Sequence, residues 1–161
     1  KMRMFQAEMP IQAWTGMGAN VQVYSWGDTY TAIATGAVDS LTTVVSASYL
    51  VKHTELLKYF TNVKEYYQIV LPVIGKKTWD KLNAKQKEIL VQAANEAGKE
   101  YMRISALNDA NHVRKAQEDH GLTIINPSLG PWFKKAEAVH TKLETSGVLP
   151  KGVVQAAKSI K

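Results

Sequence analysis

Hydrophobic and polar positions alternate at the start of the chain. In Lys1–Gln6, Met2 and Met4 fall on one side and Lys1, Arg3 and Phe5 on the other, which predicts a short strand. Pro10 then opens a helix as its first residue, with Ile11, Trp14 and Met17 on one face and Gly16 and Gly18 closing it. Val21, Val23 and Tyr24 predict a second strand. Ser25-Trp26-Gly27-Asp28 has the spacing of a reciprocal N-terminal cap, and the helix after it carries Tyr30, Ile33, Ala34 and Ala37 at helical intervals before Gly36 ends it. Ser46 or Ser48 caps a further helix with Tyr49, Leu56, Leu57 and Phe60 along its buried stripe.

Glu65–Ile74 is rich in Tyr, Ile and Val and reads as a strand, with Pro72 placing that end at an edge or bulge. Asn83-Ala84-Lys85-Gln86 is a second reciprocal cap. From it Ile89, Leu90, Ala93, Ala97, Tyr101, Ile104, Leu107 and Val113 mark one helical pattern that reaches Asp119, just before Gly121. Such a helix is about 50 Å long. A compact domain of this chain length has a radius of gyration of about 15 Å. The helix therefore either kinks near Asn108-Asp109-Ala110-Asn111, with Gly98 a second weak point, or runs from one lobe to another. Leu122–Ile125 predicts a short strand, Pro131 opens a helix over Trp132, Ala136, Val139 and Leu143, and Pro150 starts a last one through Ile160. Strands and helices alternate, so the class is α/β.

Composition narrows the function classes. Of 161 residues, 45% are hydrophobic, which sustains a core and argues against disorder. No apolar run approaches the ~20 residues of a membrane span. Cys is absent, which excludes disulfides, Cys-ligated zinc and thiol catalysis. Lys1 leads straight into the strand pattern with no initiating Met, so the chain reads as a mature product or a fragment. The net charge of +6 is spread over separate segments, Lys76-Lys77, Lys134-Lys135 and Lys151, Lys158 and Lys161. That fits solvated helix faces and a mild attraction for small anions better than a nucleic-acid footprint.

The usual catalytic constellations are missing. Gly16-Met17-Gly18 follows a helix and precedes a strand, the reverse of a phosphate loop. His53, His112, His120 and His140 lack the pairings of a zinc site, and His112 and His120 sit two turns apart on one helix. No serine lies in a nucleophile elbow, and Asp28 is explained as a cap. Enzyme, metal and cofactor readings thus have no support. Two features stay open: Arg3, whose guanidinium suits a carboxylate, and the aromatics Tyr24 and Trp26 at a strand-to-helix turn, which serve either as core or as a ligand wall.

Taken in order, these segments resemble the C-terminal half of the extracytoplasmic solute-binding proteins of tripartite ATP-independent periplasmic (TRAP) transporters. The resemblance runs from Lys1-Met2-Arg3-Met4 through Gly18-Ala19 and Tyr24–Tyr30 to Tyr30-Thr31-Ala32-Ile33-Ala34-Thr35-Gly36-Ala37-Val38-Asp39, its strongest part. Lys58-Tyr59, Trp79-Asp80-Lys81-Leu82 and the cap containing Gln86 follow in the same order. It covers effectively the whole chain.

The resemblance implies a periplasmic-binding-protein-like α/β fold. Residues 1–65 and 108–161 would form the second lobe, and 66–107 would cross back to a first lobe that is largely missing, along a lobe-spanning helix. It implies capture of a small organic acid in the periplasm, without catalysis, for the membrane subunits of a sodium-driven transporter. Arg3 takes the place of the carboxylate-binding arginine and Trp26 that of the aromatic packed on the ligand, with Tyr24 beside it. Thr43 stands where the family has an asparagine, and Thr42 precedes it. Loss of that amide and the two aromatics point to an apolar or aromatic acid over a sugar acid. A sensor of the same fold feeding a signalling partner is the first rival and a basic nucleic-acid module the second. The uncovered faces of such a half-protein would favour self-association.

Overall fold

The protein is described from a computed structural model over residues 1–65 and 69–160. Its centre is a three-stranded parallel sheet of β1 (Met2–Met4), β2 (Val21–Val23) and β3 (Ser40–Leu41), ordered β2-β1-β3. Parallel neighbours need crossovers, and α1 (Glu8–Gly16) and α2 (Thr29–Ala34) supply them. The register pairs Arg3 with Gln22 on one side and Leu41 on the other. Alternation then puts Met2 and Met4 on one face and Arg3 on the opposite one, and all three are buried.

α1 packs on α7 (Gly130–Thr145). A Cβ on Gly16 would lie 3.0 Å from both γ-methyls of Val139, so this last residue of α1 serves close approach as well as termination. α8 (Val153–Ser159) packs on α7 in turn.

A second, two-stranded parallel sheet joins β4 (Tyr59–Thr61) to β5 (Thr123–Ile125). Against it lie α3 (Val45–Leu50), α4 (His53–Leu56) and the end of α6 (Ala84–His120). Val45, Ala116 and Leu122 form its core, with Tyr49, Phe60, Val113 and Ile124 packed around them. α5 (Lys76–Lys81) precedes α6.

The α/β alternation is as the sequence predicts, and so is the Asn83 cap. The Asn83 side chain accepts from the Gln86 N–H at 2.9 Å and the Gln86 side chain accepts from the Asn83 N–H at 3.0 Å. α6 then runs unbroken for 37 residues, about 55 Å, through both Gly98 and Asn108–Asn111. Gly36 ends α2 with φ of +70°.

Several local expectations fail. Pro10 is the third residue of α1, still within the turn whose N–H groups need no partner. Ser25 does not form a reciprocal cap: its hydroxyl accepts from the Asp28 N–H at 3.2 Å and donates to the Asp28 carboxylate at 2.6 Å, so the acid spends itself on the serine side chain. In α2 the buried residues are Thr29 and Ala32, and Tyr30 is exposed. Neither Ser46 nor Ser48 caps α3, and the expected single helix is broken at Lys52, which takes φ of +65°.

The predicted strand Glu65–Ile74 is absent among the described residues. Residues 66–68 lie outside them, and 69–75 have no regular structure. Ile69, Val70, Leu71, Val73 and Ile74 are exposed, Val73 to 90%, because no strand lies beside them to pair with. The predicted stripe of α6 is also uncovered over its first two-thirds: Ile89, Leu90, Tyr101, Ile104 and Leu107 are exposed, and only Ala116 near its end is buried.

Replacing Asn83 by Ala removes about 1 kcal/mol from the first turn of α6. That turn has little tertiary cover, so the expected signature is faster amide exchange over residues 85–87 with a small change in the global denaturation midpoint. Unchanged exchange there would show that the cap carries no stability.

Candidate functional site

Arg3 stands in the middle of the central strand and is 4% exposed. A guanidinium keeps its charge at all relevant pH values, so burial demands polar and aromatic company. Its Nε donates to the Tyr24 carbonyl at 3.0 Å. Its carbon lies 5.4 Å from the centre of the Trp26 ring, within cation–π range. Tyr24 reaches this position because its N–H donates to the Met4 carbonyl at 3.1 Å, extending the β1–β2 pairing by one residue.

Trp26 is held by the turn that carries it. Ser25 and Asp28 close the turn, and the buried Thr29 hydroxyl donates to the Ser25 carbonyl at 2.9 Å. Trp26 itself remains 40% exposed, so its ring is both fixed and open to solvent.

The third partner was treated in the sequence as an ordinary histidine. His53 begins α4, is 1% exposed, and meets Trp26 edge-to-face at 4.9 Å. Its Nδ1 is sealed from solvent and has no hydrogen-bond partner among the described residues. Burial first, and then repulsion from Arg3, hold its pKa below the ordinary imidazole value. No local stretch of sequence marks it, because its surroundings come from residues 3 and 26.

His53 is aimed by its neighbours. Thr54 bonds His120 Nδ1 at 2.8 Å and Ser46 bonds His112 Nδ1 at 2.6 Å. The Tyr49 ring stacks on His112 at 5.4 Å and leans on His120 at 5.5 Å, while its hydroxyl donates to Asp119 at 2.8 Å. The two-turn spacing that excludes a shared ion leaves room for one tyrosine.

Thr42 and Thr43 follow β3 and line a groove of about 830 Å³ with Met2, Trp14, Asn20 and Trp132. Arg3, Tyr24 and Trp26 are not among the described residues of that lining. The structure thus brings Arg3, Tyr24 and Trp26 together, while the two threonines line a groove shared with Met2, which points to the opposite face of the sheet from Arg3. Across this groove Trp14 donates to Glu65 at 2.6 Å, and burial pushes the Glu65 carboxyl above its ordinary value. Among the described residues no cluster of His, Asp or Glu could hold a metal ion.

The family described as bacterial extracellular solute-binding protein, family 7 (DctP), matches residues 1–146. The chain belongs to this family. The chain is 26% identical over 125 residues to the 2,3-diketo-L-gulonate-binding periplasmic protein YiaO of Escherichia coli K12, a match covering 78% of this chain and 38% of YiaO. The TRAP periplasmic solute-binding protein of Pseudomonas putida F1, solved with D-glucuronate, superposes with a TM-score of 0.84 at 20% identity, over 99% of this chain and 51% of that one. The corresponding Ochrobacterium anthropi protein, solved with L-fuconate, gives 0.80 at 27% identity over 88% and 46%. The fold is therefore periplasmic-binding-protein-like, and the family-7 chain seen here spans about half the length of these solved relatives. Among the described residues no helix is long and apolar enough to cross a membrane.

The depressed His53 pKa sets a pH dependence of stability. Its folded value lies below the unfolded one, so the unfolded chain binds the extra proton. His53 costs nothing above the unfolded imidazole value, about 6.5, and takes stability away as pH falls through it toward the folded value. The midpoint of thermal unfolding should fall from about pH 7.5 to about pH 5 less steeply in His53→Phe than in the wild type. Equal slopes would mean that His53 titrates alike in both states.

Proposed function

We propose that this chain supplies the carboxylate-binding wall of an extracytoplasmic solute-binding protein, which captures a small organic acid and delivers it to the membrane subunits of a sodium-driven TRAP transporter. The observation that carries this reading is Arg3: a permanent charge buried at the centre of the sheet, beside an indole that is fixed yet open to solvent. Arg3 supplies charge for the carboxylate, Trp26 and Tyr24 supply shape for the body of the acid, and Thr42 and Thr43 supply hydroxyls that orient it. The ligands named for three of the relatives, 2,3-diketo-L-gulonate, D-glucuronate and L-fuconate, are carboxylates, and another solved relative holds sn-glycerol-3-phosphate, also a small anion. The three carboxylates are sugar acids. Tyr24 and Trp26 at the turn, with Thr43 in place of an amide, favour a less polar body here.

The uncovered faces support a two-lobe organisation, with residues 66–107 belonging to a first lobe and 1–65 with 108–161 to the second. The apolar stretch 69–74 and the exposed stripe of α6 are surfaces that such a lobe would cover. Closure of the two lobes would remove water from the Arg3–carboxylate pair and strengthen it.

Calorimetry on the two-lobed protein tests the site. Arg3→Lys should weaken acid binding by about 1.5 to 3 kcal/mol, because a point charge does not replace two parallel hydrogen bonds. Unchanged affinity in both Arg3→Lys and Arg3→Ala removes Arg3 from the site. In a thermal-shift panel, stabilisation by polyhydroxylated acids alone would overturn the preference for an apolar body.

The 161-residue chain by itself is expected to bind acids weakly and to self-associate through its uncovered faces. Light scattering decides this: a clean monomer that also binds an organic acid at micromolar concentration is incompatible with the two-lobe reading.

A further inference from the structure

The site holds a buried ionisable group to which the binding scheme gives no task. His53 is sealed, edge-on to the indole that Arg3 also contacts, and its Nδ1 has no partner among the described residues. A buried polar atom without a partner is costly, and a nearby apolar ring such as Phe would pack against Trp26 without that cost. We infer that His53 is a positioning residue of the anion site that takes up a fraction of a proton from solvent when a carboxylate settles on Arg3. The inference rests on the anion-binding reading of Arg3.

The physical argument is one of local charge. In the ligand-free molecule two factors oppose an imidazolium at His53, burial and the Arg3 guanidinium. A bound carboxylate cancels the second. The proton then becomes easier to hold, and linkage requires the reverse as well: a protonated His53 makes the carboxylate easier to hold.

The other charged groups around His53 have partners of their own. On α4, Glu55 pairs with Lys52 at 3.8 Å and accepts from the Tyr30 hydroxyl of α2 at 3.2 Å. In the preceding turn Asp28 is engaged by Ser25. On α6, Asp119 accepts from Tyr49, and His120 is bonded to Thr54, the residue next to His53. His120 is bonded to the residue next to His53, so the test must tell the two rings apart.

The experiment uses the two-lobed protein and two monocarboxylates that stay ionised over the range, benzoate and D-glucuronate. Titration calorimetry in buffers of different ionisation heat gives affinity and proton uptake from about pH 8 to about pH 5.5. Ring signals assigned to His53 and His120 by nuclear magnetic resonance give each midpoint with and without the acid. Affinity for the tighter acid should rise about three- to tenfold as pH falls, since each unit of midpoint difference is a factor of ten. Fractional proton uptake should appear in the acidic half of the range and vanish near pH 8. The His53 midpoint should rise on binding while that of His120 stays, and His53→Gln should make the affinity independent of pH.

Binding with no proton uptake, or with uptake that follows His120, overturns the inference and leaves the anion site standing. Binding of neither acid at any pH overturns the anion-site reading and this inference with it. The wild-type protein alone decides between these outcomes, so a poorly folding His53→Gln does not obscure the result.

Discussion

A guanidinium that cannot lose its charge sits on the central strand of the sheet, and much of the surrounding structure is arranged to tolerate it. Arg3 is fixed in register by Gln22 on one side and Leu41 on the other. A slip of one residue would exchange it with Met2 or Met4 across the sheet. The charge would then face the groove side shared by Met2, Trp14 and Trp132, and a thioether would face Trp26 and His53. The same parallel pairing that buries two methionines therefore also aims the arginine. Around it are a backbone carbonyl, the face of an indole, and a histidine held toward its neutral form.

The histidine wall depends on a distant part of the chain. α3 and α4 are short, six and four residues, too short to be stable alone. They are fastened to the end of α6 by Ser46 on His112, Thr54 on His120, and Tyr49 between both rings with its hydroxyl on Asp119. These polar contacts surround the small core of Val45, Ala116 and Leu122. The position of His53 against Trp26 is thus set from two sides, by the sheet through Arg3 and by the long helix through Thr54.

What the sequence made legible follows from how local each determinant is. The cap at Asn83 and Gln86 is a contact within four residues and was readable as such. So was the left-handed Gly36. The strand-borne Arg3 and the turn aromatics Tyr24 and Trp26 stood out as residue types. The nearby Ser25–Asp28 pair was misread because spacing cannot say whether an acid meets a backbone N–H or a serine hydroxyl. The break at Lys52 was hidden, since nothing in the apolar pattern marks a lysine with φ of +65°. His53 was passed over for a related reason: its surroundings come from residues 3 and 26, and no local window contains them. Ser46 looked like a cap because its partner, His112, lies 66 residues away along the chain.

Two features that look like faults in a single compact domain have one cause. A stretch of five aliphatic residues around Pro72 would ordinarily be a strand, yet here it has no neighbour and remains exposed. A 37-residue helix would ordinarily be broken, yet it is continuous and buries only Ala116 near its end. Both carry apolar side chains on surfaces that the other described elements leave exposed. Burial of such side chains is worth about 25 cal/mol for each Å² removed from water, so the uncovered stripe is a substantial unused driving force. This chain accounts for about half of each solved relative, which supports the proposed two-lobe organisation. The exposed run and the long helix are ill-fitted to one lobe and well fitted to two. On the proposed two-lobe organisation, a Trp26 fixed by its own turn and still open is suited to meet an opposing wall, being rigid before the other arrives.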